Sequence, residues 1–262
     1  MELQIDRLNF SYGDRNILRD LSFTVKEGEF LSILGPSGCG KSTLLNVMAG
    51  ILSPQSGSIR ILNSVITSSG ERMEKTEAVQ GMSSHFAYMP QNDLLLPWKT
   101  ILDNVCLYGE IHHCKAQMKE RAREQMAIFG LSGCENKYPG ELSGGMRQRA
   151  AFLRTTLCEA DIYLLDEPFG ALDVITRGDM QDWLRKLCSS LKKTILLVTH
   201  DTDEAIYLSD RILILGAPGE GIRRELSIPE QNRTREWLYE QGRLRAEIHR
   251  IIKEKRGGSK CA

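Results

Sequence analysis

Between Leu3 and Tyr12, the apolar residues Leu3, Ile5, Leu8 and Phe10 alternate with polar neighbours, as in a half-buried strand. Leu21 to Val25 reads as a second strand, closed by the turn Lys26 to Glu29. Phe30 to Leu34 is a short, almost wholly apolar run, the pattern of a buried strand. Lys41 to Ala49 predicts a helix, and Ser58 to Leu62 a strand after the turn residues Pro54 to Gly57. The middle changes character. Ile101 to Tyr108, Lys115 to Phe129 and Gly144 to Cys158 read as helices, with Ala122, Met126 and Phe129 at helical spacing among charges. Residues 92–159 therefore look like a helical insertion. Strand and helix then alternate: Ile162 to Leu165, Ile175 to Leu191, Thr194 to Val198, Asp201 to Tyr207 and Arg211 to Leu215. Such alternation implies an α/β fold, a parallel sheet covered by helices. Arg233 to Lys255 reads as one long charged helix. Its basic tail, Lys253 to Lys260, reads as a solvated terminus, with a membrane-surface contact as the alternative.

Composition narrows the class. The 262 residues suffice for one large domain or two small ones. Lys plus Arg and Asp plus Glu are both 34, so no global basic field argues for nucleic acid. The longest apolar runs, such as Ile195 to Val198, are too short to span a bilayer. The first residues carry no secretory pattern. Seven cysteines without a C-x-x-C pair read as reduced thiols of a cytosolic protein. His112-His113-Cys114 lacks the second ligand cluster that a zinc site needs.

The chemistry concentrates first at Gly35-Pro36-Ser37-Gly38-Cys39-Gly40-Lys41-Ser42-Thr43, which fits G-x-x-x-x-G-K-[ST] between a strand and a helix. A helix N-terminus offers unpaired N–H groups and a partial positive charge to a phosphate. Lys41 is expected to reach the β- and γ-phosphates and Ser42 to ligate Mg²⁺. Cys39, at this positive end beside Lys41, is expected to have a lowered pKa and a reactive thiol. The strand Ile162 to Leu165 runs into Asp166-Glu167. Asp166 is the expected Mg²⁺ partner, and Glu167 is placed to polarise an attacking water.

Leu142-Ser143-Gly144-Gly145-Met146-Arg147-Gln148 supplies a second anion site, with Ser143 able to cap the helix that follows. One compact domain rarely places two phosphate-binding helix ends on one γ-phosphate. The economical arrangement is a symmetric dimer in which this second site serves the other copy's nucleotide.

With these motifs in this order, the chain resembles the ATP-binding subunits of ABC transporters over nearly its whole length. The resemblance implies a P-loop NTPase: a RecA-like parallel core with an N-terminal antiparallel β subdomain and a helical insertion subdomain. It divides the single domain 1–262 into a core of 1–91 and 160–230, a helical signature subdomain of 92–159, and a charged C-terminal helix and tail of 231–262. It implies that Tyr12 stacks on adenine, and that Gln91 touches Mg²⁺ and senses a permease docked near Gln91 to Trp98. Ser143, Gly144 and Gly145 would contact the γ-phosphate in trans, Asp173 would lie at the dimer interface, and His200 would contact the γ-phosphate in cis. Trp98 is equally readable as an exposed docking residue or a core anchor. Met146 stands where the family commonly has Gln, so no catalytic role is assigned to it.

The variant signature, Leu95-Leu96-Pro97-Trp98-Lys99-Thr100 and His200-Asp201-Thr202-Asp203-Glu204-Ala205 are similar to importers of the nitrate, sulfonate and taurine group, and of thiamine pyrimidine precursors. The implied partners are a membrane permease, indirectly an extracytoplasmic solute-binding protein, and a second copy of the chain, at the cytoplasmic face of the membrane. The rivals are a P-loop kinase, an ATPase acting on nucleic acid or the ribosome, and a regulatory subunit without turnover. A kinase does not need Leu142 to Met146. The second would need a coiled coil or second cassette, and the third is at odds with intact Glu167 and His200.

Overall fold

The computed structural model describes residues 1–66, 72–78, 85–170, 172–191 and 193–254. Ala171 and residues 255–262, most of the basic tail, lie outside the described residues. In chain order the strands are β1 (Glu2–Tyr12), β2 (Arg15–Lys26), β3 (Phe30–Leu34), β4 (Ser56–Ile66), β5 (Arg72–Ala78), β6 (Phe86–Met89), β7 (Ile162–Asp166), β8 (Thr194–Val198), β9 (Arg211–Leu215) and β10 (Ile222–Ser227). The helices are α1 (Lys41–Met48), α2 (Ile101–Val105), α3 (Leu107–Ile111), α4 (Lys115–Met126), α5 (Gly144–Thr156), α6 (Val174–Leu191), α7 (Thr202–Leu208), α8 (Arg235–Glu240) and α9 (Gly242–Lys253).

The chain forms two compact units. The first comprises Met1–Gly81 and Leu197–Ala262. It contains an antiparallel sheet of order β2-β1-β4-β5, opened by a tight hairpin in which Tyr12 pairs with Arg15. Gly13, at φ 56°, makes that turn possible. The unit also holds the strand order β10-β9-β3, with β3 parallel to β9 and β10 antiparallel to it. All five residues of β3 are buried, which explains why its sequence lacks alternation. Each buried Leu or Ile there contributes about 1.5–3 kcal/mol.

The second unit, Met82–Leu196, holds the order β8-β7-β6, with β6 parallel to β7, and helices α2 to α6. Strand β8 leaves this unit at Leu196 and continues into the first at Leu197. Parallel pairs beside a separate antiparallel sheet are the expected α/β architecture.

The differences from the sequence reading are local. The helix predicted over Ile101 to Tyr108 breaks at Cys106, whose φ of −90° and ψ of 11° end α2 and start α3. The long C-terminal helix is two: Gln241, with ψ at 31°, separates α8 from α9 just before Gly242. Strands β5, β6 and β10 carry weak sequence signals. The first and last are polar edge strands with one neighbour each, and β6 is only four residues long.

Candidate functional site

In the first unit, buried β3 delivers the chain into the glycine loop and α1. Gly40 is the N-cap at φ 106°, a conformation that suits glycine, and it contributes no side-chain cap. A Cβ on Gly40 would meet the Ile17 Cγ2 at 2.6 Å, so the close approach of β2 also demands glycine. Lys41 is buried, and its ammonium donates to the carbonyls of Gly35 at 2.9 Å and Pro36 at 3.1 Å. The cation is thus held across the loop it is expected to serve. Ser37, Gly38 and Ser42 are exposed, and Pro36 and Thr43 partly so. The loop therefore presents a helix end and the Ser37 and Ser42 hydroxyls to solvent, with the Lys41 cation held just beneath them, the equipment of an anion cradle.

Cys39 departs from expectation. Its thiol is 3% exposed, and burial pushes its pKa up, outweighing the lowering by Lys41 and by backbone N–H groups. The positive helix end is present, yet desolvation of the thiolate wins. The reactive thiol expected from sequence is replaced by a packed one.

Two other predicted residues belong to this unit. His200 is exposed, so it is not a core histidine. Its turn is pinned: the Thr199 hydroxyl donates to Glu204 Oε2 at 2.5 Å and accepts from the Asp201 amide at 3.0 Å. The Asp201 carboxylate caps α7, accepting from the amides of Asp203 and Glu204. The Thr199 amide bonds the Ile33 carbonyl at 3.3 Å, which sets this turn beside the strand that feeds the glycine loop. Tyr12, at the end of β1, is 53% exposed, and its ring meets Phe10 edge to face at 4.9 Å. Such exposure suits an aromatic expected to meet a planar partner.

The second unit gathers the carboxylates. Asp166 ends β7 almost fully buried, and the Tyr88 hydroxyl donates to its Oδ2 at 3.2 Å. Burial, then the charge and hydrogen bond of Asp166, push the Tyr88 pKa up, so Tyr88 stays a donor. Sequence reasoning missed Tyr88 because β6 was too short to read. Glu167 follows in the left-handed region at φ 43°, which costs a non-glycine residue about 1–3 kcal/mol. The conformation turns Glu167 out of the strand, and Gln91 Nε2 donates to its Oε2 at 3.3 Å. Gln91 and Glu167, 76 positions apart, are thereby brought together.

Ser143 is exposed and caps α5, accepting from the Met146 amide at 3.3 Å. Gly145 is buried against Thr176 of α6. Asp173 is exposed and caps α6, accepting from the amides of Ile175 and Thr176 at 3.1 and 3.0 Å. Hydrogen bonds from the Thr176 hydroxyl and amide hold the Asp173 carboxyl below the usual range. Beside it Val174 and Ile175 are 82% and 79% exposed, an apolar step that the sequence reading did not single out. Trp98 is 71% exposed, which removes the core-anchor reading. Among the described residues no helix is long and apolar enough to cross a membrane.

Comparison with known proteins converges on one family. Residues 18–170 match the family described as ABC transporter. The chain is 45% identical over 227 residues to an aliphatic sulfonates import ATP-binding protein of Rhodococcus jostii (strain RHA1), covering 87% of this chain and 83% of that protein. It is 40% identical over 254 residues to a formylaminopyrimidine import ATP-binding protein of Halalkalibacterium halodurans, covering 96% and 94% respectively. Among solved structures, a dimeric bacterial ABC transporter cassette superposes with a TM-score of 0.69 at 28% identity, over 87% of this chain and 99% of that one.

Proposed function

Because this chain belongs to the ABC transporter family, we propose that it is the ATP-hydrolysing subunit of an importer, acting as a sandwich dimer docked on a membrane permease. The Gln91–Glu167 contact carries the reading. It joins the carboxylate that would polarise water to the loop that presents exposed Leu94 and Trp98. A permease seated on that loop has a short route to the hydrolytic group. Uptake of a sulfonate- or taurine-like solute, or of a pyrimidine of the formylaminopyrimidine kind, is supported by the names of the relatives. The solute would be chosen by the permease and an extracytoplasmic binding protein.

ATP would seat its phosphates on Gly35 to Thr43, with its adenine on Tyr12. The donors expected for Mg²⁺, the Ser42 hydroxyl, the Asp166 carboxylate and the Gln91 amide oxygen, are all hard oxygen ligands, as that ion requires. The Gln91 amide nitrogen is engaged by Glu167, which leaves its oxygen for such a role. When bound, the ion would neutralise charge on the β- and γ-phosphate oxygens. Lys41 would add its charge there, and His200 would donate a ring N–H to the γ-phosphate. Glu167 would orient the water that breaks the bond between γ-phosphorus and the bridging oxygen, giving ADP and phosphate. Ser143, Gly144 and Gly145 of the second copy would close the site, with Asp173 at the seam. Release of phosphate removes the contacts that favour the closed dimer.

Glu167→Gln tests this. The variant is expected to bind ATP–Mg²⁺ and elute as a stable dimer while hydrolysing it at least 100-fold slower than wild type. Hydrolysis at the wild-type rate would remove Glu167 from the mechanism.

A further inference from the structure

The loop that follows Gln91 is gripped from two helices. From α2, buried Asn104 donates to the carbonyls of Leu96 and Lys99 at 3.0 Å each, and accepts from the Leu96 amide at 2.6 Å. From α5, Arg154 donates to the carbonyls of Asp93 at 2.5 Å and Leu94 at 2.9 Å. Asp93 is itself tied into the turn, its Oδ1 accepting from the Leu95 amide at 3.1 Å. The loop is therefore a stiff block that carries Leu94, at φ 45°, and Trp98 on its outside.

Arg147 touches this block and the signature segment at once. Its Nε donates to Asp93 Oδ2 at 3.2 Å, and its Nη1 donates to the Leu142 carbonyl at 2.8 Å. Leu142 immediately precedes Ser143, and the Arg147 amide closes the first turn of α5 on the Ser143 carbonyl at 3.0 Å. The planar guanidinium fork suits two acceptors held in fixed directions. Asp93 and Arg147 lie 54 positions apart, so only folding brings them together.

We propose that Arg147 is a positioning residue that couples the Leu94–Trp98 surface to Ser143. Closure of Ser143 on a nucleotide shifts the loop, and a load on the loop shifts Ser143 by the same coupling, since linkage is reciprocal. The inference rests on the sandwich-dimer reading, in which Ser143 meets the other copy's nucleotide.

The experiment needs only this chain and ATP–Mg²⁺. The Glu167→Gln protein is labelled with 5-fluorotryptophan, which marks Trp98, Trp183 and Trp237. The Trp98 resonance is the one missing from Trp98→Phe. Adding ATP–Mg²⁺ is expected to produce a dimer on size exclusion and to move the Trp98 resonance. In Arg147→Ala, and separately in Asp93→Ala, the dimer is expected to persist while the Trp98 response is lost. Unchanged Trp183 and Trp237 signals without nucleotide report that both variants are folded. A Trp98 response that survives in both variants overturns the proposal, as does a parent that dimerises with no Trp98 response. A parent that does not dimerise with ATP–Mg²⁺ fails the sandwich reading itself, and the proposal with it.

Discussion

Gly145→Ala isolates the packing that seats the signature helix. Gly145 lies in the first turn of α5, and a Cβ there would come 2.8 Å from Thr176 Cγ2 on α6. Carbon pairs rest at about 3.5–4.0 Å, so the overlap is roughly 0.7 Å or more. Thr176 cannot yield cheaply. It is β-branched, with a restricted χ1, and its amide is bonded to the Asp173 carboxylate at 3.0 Å. Overpacking of this kind costs about 1–3 kcal/mol. Against it stands a gain of up to about 1 kcal/mol from replacing glycine by alanine in a helix. The single variant is thus expected to lose about 1 kcal/mol.

Thr176→Ser removes the offending methyl and keeps the hydroxyl. Alone it should cost about 0.5–1.5 kcal/mol. In the double variant the overlap is gone, so it should be more stable than the sum of the two single losses implies, by about 1–3 kcal/mol. Thermal unfolding of the four proteins reads this, because 1 kcal/mol is about 2–4 °C in chains of this size. Additivity within about 0.5 kcal/mol would refute the reasoning, since it would mean that Gly145 and Thr176 do not share the space the structure gives them.

Two further predictions probe the first unit, beside the Glu167 and Arg147 experiments above. Cys39 should resist maleimide at pH 7, labelling at least 10-fold faster once the chain is unfolded. Its folded pKa lies above the unfolded value of 9.0, so its contribution to stability is complete below pH 9 and is lost as pH rises through the folded value. Wild type should therefore lose thermal stability above pH 9 more steeply than Cys39→Ala, and equal slopes would contradict the burial argument. Gly57→Ala should be far more damaging. Gly57 sits at φ 91°, and a Cβ would lie 2.3 Å from the Arg7 carbonyl oxygen, at the register shift between β1 and β4. Backbone strain and overlap together cost about 3 kcal/mol or more, a fall in melting temperature of roughly 6–12 °C. A fall under about 2 °C would show that the bulge has room to relax.

The residues proposed to bind and polarise were legible because their geometry is local. A strand, a glycine turn and a helix start place Gly35 to Thr43 within nine consecutive residues, and no distant partner is needed to shape a helix N-terminus. Asp166 and Glu167 were legible as two acids ending an apolar strand, and Ser143 as a cap before a helix. The proposal of an ATP site on these residues therefore draws on the chain alone. What the tertiary structure decided are properties that depend on neighbours far along the chain. Whether Cys39 is reactive turns on desolvation, which local charge could not reveal. Whether Trp98 points outward, which carboxylate Gln91 meets and which hydroxyl Asp166 accepts were all settled by packing. So was the grip of Arg147 on Asp93. Backbone hydrogen bonding propagates from residue to residue and writes itself into sequence pattern, whereas burial and side-chain pairing exist only once distant segments have met.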